Sequence, residues 1–174
     1  MRQMIVKKGS FASCHRISNH KGKCHNLHGH NYNYEIGISY DLEGTRLNEC
    51  NYVIDFGELK ELYTSNIDKF FDHSVIVNEN DKDVLELAKK INDPQRVIAT
   101  IGDPSVEVIS QLILWLCFRI FNYYTKSRVI SKVFINYIKI YETDNSYCEL
   151  TVEPNDINKI PVSEQFKHNV DVYL

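Results

Sequence analysis

The chain has no run of 18 apolar residues, no CxxC pair, no basic excess, no internal repeat and no Gly/Ser-rich linker. Each absence excludes a class. Without a long apolar run, no membrane span is expected. The N-terminus, Met1-Arg2-Gln3-Met4-Ile5-Val6-Lys7-Lys8, carries charge where a secretion signal needs an apolar stretch, so the cytoplasm is the expected location. Five cysteines, at 14, 24, 50, 117 and 148, are odd in number and scattered. A disulfide framework is therefore not expected, and the thiols should be reduced. A net charge of −3 gives no footprint for phosphate neutralisation, so nucleic acid is not an expected partner. What is present excludes disorder: 43% of residues are hydrophobic, with eight Phe and eleven Tyr to bury. At 174 residues one domain is expected over 1–174, large enough for a core without disulfides or a structural metal.

Periodicity supplies the elements. Residues 4 to 15 alternate loosely, as a first strand. Tyr32, Tyr34, Ile36, Ile38 and Tyr40 share one face of a clear strand over 30 to 41. The polar loop from Arg16 to Leu27 lies between them, so the two strands should pair antiparallel. Val53 and Ile54 suggest a short strand, and Asp55 an N-cap. Leu59, Leu62, Ile67, Phe70 and Phe71 then fall at helical spacing over about four turns. Ser74 to Val77 is a short apolar run, Asp83 to Lys90 a brief helix, and Arg96 to Ile101 a strand. Asp103-Pro104 predicts the start of a helix to about Tyr124, with the acid as cap. Residues 129 to 141 alternate, Asp144-Asn145-Ser146 turns, and Tyr147 to Val152 ends the strands. The polar tail from Pro154 is expected to pack loosely or to cross to a neighbour. The order predicts an α+β fold with an antiparallel sheet.

Five of the seven histidines lie between positions 15 and 30. In His28-Gly29-His30 both imidazoles point to one side of a strand and converge on one point. Gly29 leaves room for a close approach from the other side. His15 ends the preceding strand, which pairing would bring alongside. Three His with an open fourth position make the donor set of a catalytic zinc site. The plainer alternative is a row of surface histidines, and His20 and His25 remain possible ligands on spacing. Cys24 sits in a polar segment four residues before His28. It becomes a base or nucleophile only as thiolate, which a nearby metal or imidazolium favours. The other four cysteines read as small buried residues. In Asp72-His73 a carboxylate could orient an imidazole. Glu142, at a strand end, and Glu107, in a first helical turn, have plain structural readings as a solvated acid and a helix-dipole acid.

In order, Phe11-Ala12-Ser13-Cys14-His15, Cys24-His25-Asn26-Leu27-His28-Gly29-His30-Asn31-Tyr32, Val53-Ile54-Asp55-Phe56, Phe71-Asp72-His73, Pro104-Ser105-Val106-Glu107 and Tyr141-Glu142-Thr143 resemble one family. It is the family of 6-pyruvoyltetrahydropterin synthase and 6-carboxytetrahydropterin synthase, and the likeness runs from about Met4 to Val152. The resemblance implies the tunnelling fold (T-fold): a four-stranded antiparallel sheet with two helices on one face. Three subunits close a barrel, and two barrels stack as a homo-hexamer. It implies zinc on His15, His28 and His30, Cys24 as catalytic base, and Asp72 with His73 as its relay from a neighbouring subunit. Glu142 would anchor the pterin ring, with Ser105 and Glu107 at the border of its pocket. The family often has Thr at the position of Ser105 and Asn at that of Val108. Ser105 keeps a hydroxyl; Val108 loses an amide.

The implied substrate is 7,8-dihydroneopterin triphosphate. The insertion from Asn78 to Gly102 is similar to that of bacterial-type carboxy-forming enzymes. It favours 6-carboxy-5,6,7,8-tetrahydropterin as product, with release of acetaldehyde and triphosphate, on a 7-deazaguanine (queuosine-type) route. The 6-pyruvoyl product of the biopterin route is the first alternative. A non-catalytic pterin- or metal-binding module is the second, and the joint presence of Cys24, Asp72 and His73 argues against it.

Overall fold

A computed structural model describes residues 1–45, 47–125, 133–153 and 155–174. Two 14-residue strands, β1 (Arg2–His15) and β2 (His28–Asp41), form an antiparallel pair in which His15 lies opposite His28 and Ser13 opposite His30. The alternation read for β2 holds: Tyr32, Tyr34, Ile36, Ile38 and Tyr40 are all buried. No strand forms at Val53 and Ile54. Asp55 caps as expected, its Oδ1 accepting the Gly57 N–H at 2.6 Å. The helix it starts runs in three parts: α1 (Phe56–Leu59), a π-helical turn (Lys60–Thr64) and α2 (Ser65–Phe71).

The rest of the chain comprises β3 (Ser74–Asn78), α3 (Lys82–Ile91), β4 (Val97–Thr100), α4 (Val106–Thr125), β5 (Val133–Thr143), β6 (Ser146–Thr151) and α5 (Glu164–Tyr173). The sheet order among the described residues is β4-β3-β1-β2-β5-β6. Residues 129 to 132 of the expected fifth strand lie outside the described residues.

Six strands stand where four antiparallel ones were expected, and two of them are parallel. β3 runs parallel to β1, and β4 parallel to β3. The insertion adds β4. Parallel neighbours need a crossover, which α3 provides between β3 and β4, and the segment through β2, α1 and α2 provides between β1 and β3. β3 and β4 are buried on both faces: Ile76 and Ile98 join the main core, while Val75, Val77, Val97 and Ala99 pack under Leu85 and Ala88 of α3. Strands covered on both faces read as continuous apolar runs rather than as alternation.

α4 has the length and composition to cross a membrane, although it holds no unbroken apolar run. Its middle is buried here instead, with Leu112 to Cys117 all in the main core. The tail is a second correction. Ser163 caps α5 by accepting the Phe166 N–H, and Phe166 and Val170 are fully buried. The Phe166 ring meets Phe70 and Phe71 edge-on and Trp115 at a tilt. Along β4, Gln165 takes the Ala99 N–H on Oε1 and donates Nε2 to the Val97 carbonyl, both at 3.0 Å. A side-chain amide thus occupies the edge that a further strand would use.

Candidate functional site

Pairing of β1 with β2 sets three imidazoles on one face. The ligand atoms of His15, His28 and His30 all lie within 4.8 Å of one another, the one such cluster among the described residues. His15 is buried, and His28 and His30 are half-buried. Gly29 permits the close pairing, since a Cβ there would stand 3.1 Å from the Ser13 carbonyl oxygen of β1.

Two of the rings have a fixed tautomer. His15 Nδ1 lies 2.7 Å from the Pro104 carbonyl, and His28 Nδ1 lies 2.8 Å from the Asn26 carbonyl. Both Nδ1 atoms therefore carry the proton, and both Nε2 atoms present lone pairs. Those two Nε2 atoms are 3.2 Å apart. Two acceptors at that distance repel unless a cation or a proton lies between them. Three nitrogens at ~2.0–2.1 Å from one tetrahedral centre would be roughly 3.3 Å apart. His30 Nε2 is buried with no hydrogen-bond partner. Burial pulls the His15 pKa below its ordinary value, favouring the neutral form a metal needs. The residues present therefore fit a zinc ion. His20 and His25 are engaged elsewhere: His20 Nδ1 accepts the Gly22 N–H, and His25 Nδ1 meets the Ser18 carbonyl at 2.8 Å.

Glu142 reaches this cluster from β5, its Oε1 3.6 Å from His15 Nε2. Beside it, burial and then the Glu142 charge push the Tyr32 hydroxyl far above the phenol range. Ser105 stands next to Pro104, and Glu107 is exposed in the first turn of α4. Cys24 is half-buried on a 3₁₀ turn, Lys23–His25, its carbonyl held by the Ile17 N–H at 3.0 Å.

Within one chain the Asp72–His73 pair makes no hydrogen bond to Cys24. Asp72 Oδ1 accepts the Ala12 N–H at 2.8 Å, and the His73 N–H donates to the Ala12 carbonyl at 2.6 Å. His73 sits at φ 56°, a left-handed conformation that a side chain rarely adopts. Asp72 Oδ2 holds His73 Nδ1 at 2.6 Å, while the His73 side chain is 82% exposed. Burial opposes the Asp72 charge. The Ala12 and His73 bonds, with Arg96 nearby, outweigh it and hold the carboxyl below the usual range. Arg96 Nη1 donates to the carbonyls of Asp68, Lys69 and Asp72, closing the end of α2 beneath the pair. His73 also borders an open depression of about 440 Å³ with Cys14, Gly29, His30 and Asn92.

The family model described as 6-pyruvoyl tetrahydropterin synthase matches residues 4–153. The chain belongs to the 6-pyruvoyl tetrahydropterin synthase family. Among its curated relatives, 6-carboxy-5,6,7,8-tetrahydropterin synthase of Rickettsia bellii is 36% identical over 147 residues, covering 83% of this chain and 97% of that protein. The enzyme of the same name from Haemophilus influenzae is 32% identical over 148 residues, covering 83% and 96%. The crystal structure of 6-pyruvoyl tetrahydropterin synthase from Plasmodium vivax superposes with a TM-score of 0.59 at 22% identity, covering 88% of this chain and 99% of that one. At that identity the likeness shows the T-fold. In this member of the family the tail from residue 155 onward lies outside the matched span and carries α5.

Two features of the site escaped the sequence. Asp103 does not cap α4. Its carboxylate instead accepts bonds from Ser18, Asn19 and Asn78. Nor does any local motif point to the Pro104 carbonyl as partner of His15. The Asp-Pro pair itself was the available signal, since it marks a turn as well as a helix start.

Proposed function

We propose that the chain is a zinc-dependent lyase, a 6-carboxy-5,6,7,8-tetrahydropterin synthase acting on 7,8-dihydroneopterin triphosphate. One observation carries the reading: a three-imidazole cluster with a carboxylate at 3.6 Å, in a chain aligned over 97% of a relative so named. His15, His28 and His30 would hold the zinc. When bound, zinc acts as a Lewis acid on the side-chain oxygens and makes the adjoining C–H bonds more acidic.

The chain's own groups divide the remaining work. Glu142 offers two acceptor oxygens to the guanidine-like edge of the pterin, a bidentate, charge-assisted match. Cys24, as thiolate, takes a proton from the activated side chain. His73 returns one, with Asp72 on Nδ1 keeping the imidazole oriented. Within one chain the pair bonds to Ala12 and not to Cys24, and its exposed ring is available to a neighbouring subunit. A homo-hexamer, two stacked trimers, would complete the site.

Incubation with 7,8-dihydroneopterin triphosphate and mass spectrometry of the products tests the reading. 6-Carboxytetrahydropterin with acetaldehyde and triphosphate is the expected outcome. A product retaining all three side-chain carbons would move the protein to the 6-pyruvoyl reaction. Tight pterin binding without turnover would make it a binding module.

A further inference from the structure

We propose that Asp103 is a positioning residue that couples the loop bearing Cys24 to the metal ligand His15. The inference rests on the reading that Cys24 and His15 serve one reaction.

Asp103 follows β4 and Gly102, whose φ of 82° makes the turn and whose carbonyl is fixed by the Thr100 hydroxyl at 2.7 Å. Its Oδ1 accepts Ser18 Oγ at 2.6 Å and Asn78 Nδ2 at 2.9 Å. Its Oδ2 accepts the Asn19 N–H at 3.0 Å and Asn19 Nδ2 at 3.1 Å. Four donors from two segments meet one carboxylate, and only an ionised acid offers acceptors to all of them. Burial opposes the charge; these bonds overcome it and hold the carboxyl far below its usual range.

The next residue faces the histidine cluster. The Pro104 carbonyl takes His15 Nδ1, and the ring of Pro104 fixes its φ, so little slack separates the carboxylate from that carbonyl. On the other side the loop is cross-linked as far as Cys24. Ile17 N–H donates to the Cys24 carbonyl at 3.0 Å, Arg16 Nε to the His25 carbonyl at 2.8 Å, and His25 Nδ1 meets the Ser18 carbonyl. A shift at Asp103 therefore reaches the thiol through Ser18 and the imidazole through Pro104. The four bonds also explain why the acid is not free to cap α4.

The test compares Asp103→Ala and Asp103→Asn with wild type in three measurements. These are zinc affinity by chelator competition, the alkylation rate of the Cys24 peptide across pH, and melting temperature. Asp103→Ala leaves the Pro104 carbonyl in place but frees it to move from the His15 ring, and should weaken zinc by up to the about 10–100-fold that loss of an outer partner costs. Release of the loop should change the Cys24 alkylation rate about tenfold and displace its pH profile. Asp103→Asn keeps one acceptor oxygen and should fall between. A lowered melting temperature with zinc affinity and the Cys24 profile unchanged would reduce Asp103 to a loop staple and overturn the proposal. If Asp103→Ala does not fold, Asp103→Asn and Ser18→Ala carry the same readouts. A wild-type chain that binds no zinc would sink the metal reading instead, and the Cys24 profile alone would then decide for or against Asp103.

Discussion

Two imidazole nitrogens 3.2 Å apart, each with its other nitrogen committed to a carbonyl, are an arrangement that wants a cation. About one zinc per chain is therefore expected, and elemental analysis of His28→Ala should show most of it lost. Full retention would redirect the search to other donors. This triad was readable from the sequence because strand alternation fixes where residues two apart point. Glu142 was not readable from spacing, because its place depends on how β5 meets β2. Asp103 was misread because an acid before Pro is a good cap unless other donors reach it first. Its depressed pKa also sets a stability dependence. The stabilisation is fully present above the unfolded pKa of ~4 and is lost as pH falls through the folded value. Wild type should thus lose melting temperature below about pH 4, and Asp103→Asn should show a flatter acid limb. Among the thiols, burial pushes Cys117 far above the usual range, whereas Cys50 is exposed. Iodoacetamide should label Cys50 in the native protein and Cys117 only after unfolding, as peptide mapping would show.

At the scale of elements, the hairpin and the helix over 56–71 were legible because one face of each is apolar, and the helix over 106–125 because Asp103-Pro104 opens a long apolar segment. The parallel strands were not. Ser74 to Val77 shows only that it is buried, and periodicity names no partner for a strand covered on both faces. The tail was obscured by Glu164, Lys167, His168 and Asp171, which surround the two buried positions Phe166 and Val170. Four residues apart, these two share a helical face that a short polar segment does not advertise. Phe166→Ala should destabilise the fold by about 3–5 kcal/mol, since the ring is fully enclosed. Chemical denaturation would measure it. A loss under about 1 kcal/mol would mean that α5 contributes little to the core.

At the scale of the molecule, the sheet has two unlike ends. Beyond β4 the edge is occupied by Gln165, and Ser163 Oγ donates to the Ala99 carbonyl at 2.6 Å. Beyond β6 no strand follows among the described residues. β1 meets β3 only from Ser13 to His15, so the outer edge of its first residues is also without a strand partner among the described residues. Open edges invite pairing, and subunits that close a barrel remove them. Light scattering is expected to report about six chains of 20.3 kDa each. A monomer at micromolar concentration would count against the hexamer and would leave the exposed ring of His73 without a neighbour to serve. Motif order made the family legible; the open edges that an assembly would close are not displayed by a single sequence.

The Gln165 contact has a kinetic consequence. The Ala99 N–H is protected from solvent by one side chain of the last helix, not by a neighbouring strand. Its hydrogen–deuterium exchange should therefore follow the undocking of that helix, while the amides paired between β3 and β4 wait for the sheet itself to open. Ala99 would be a clock for the tail: a single amide whose exchange rate reads how often the C-terminus lets go.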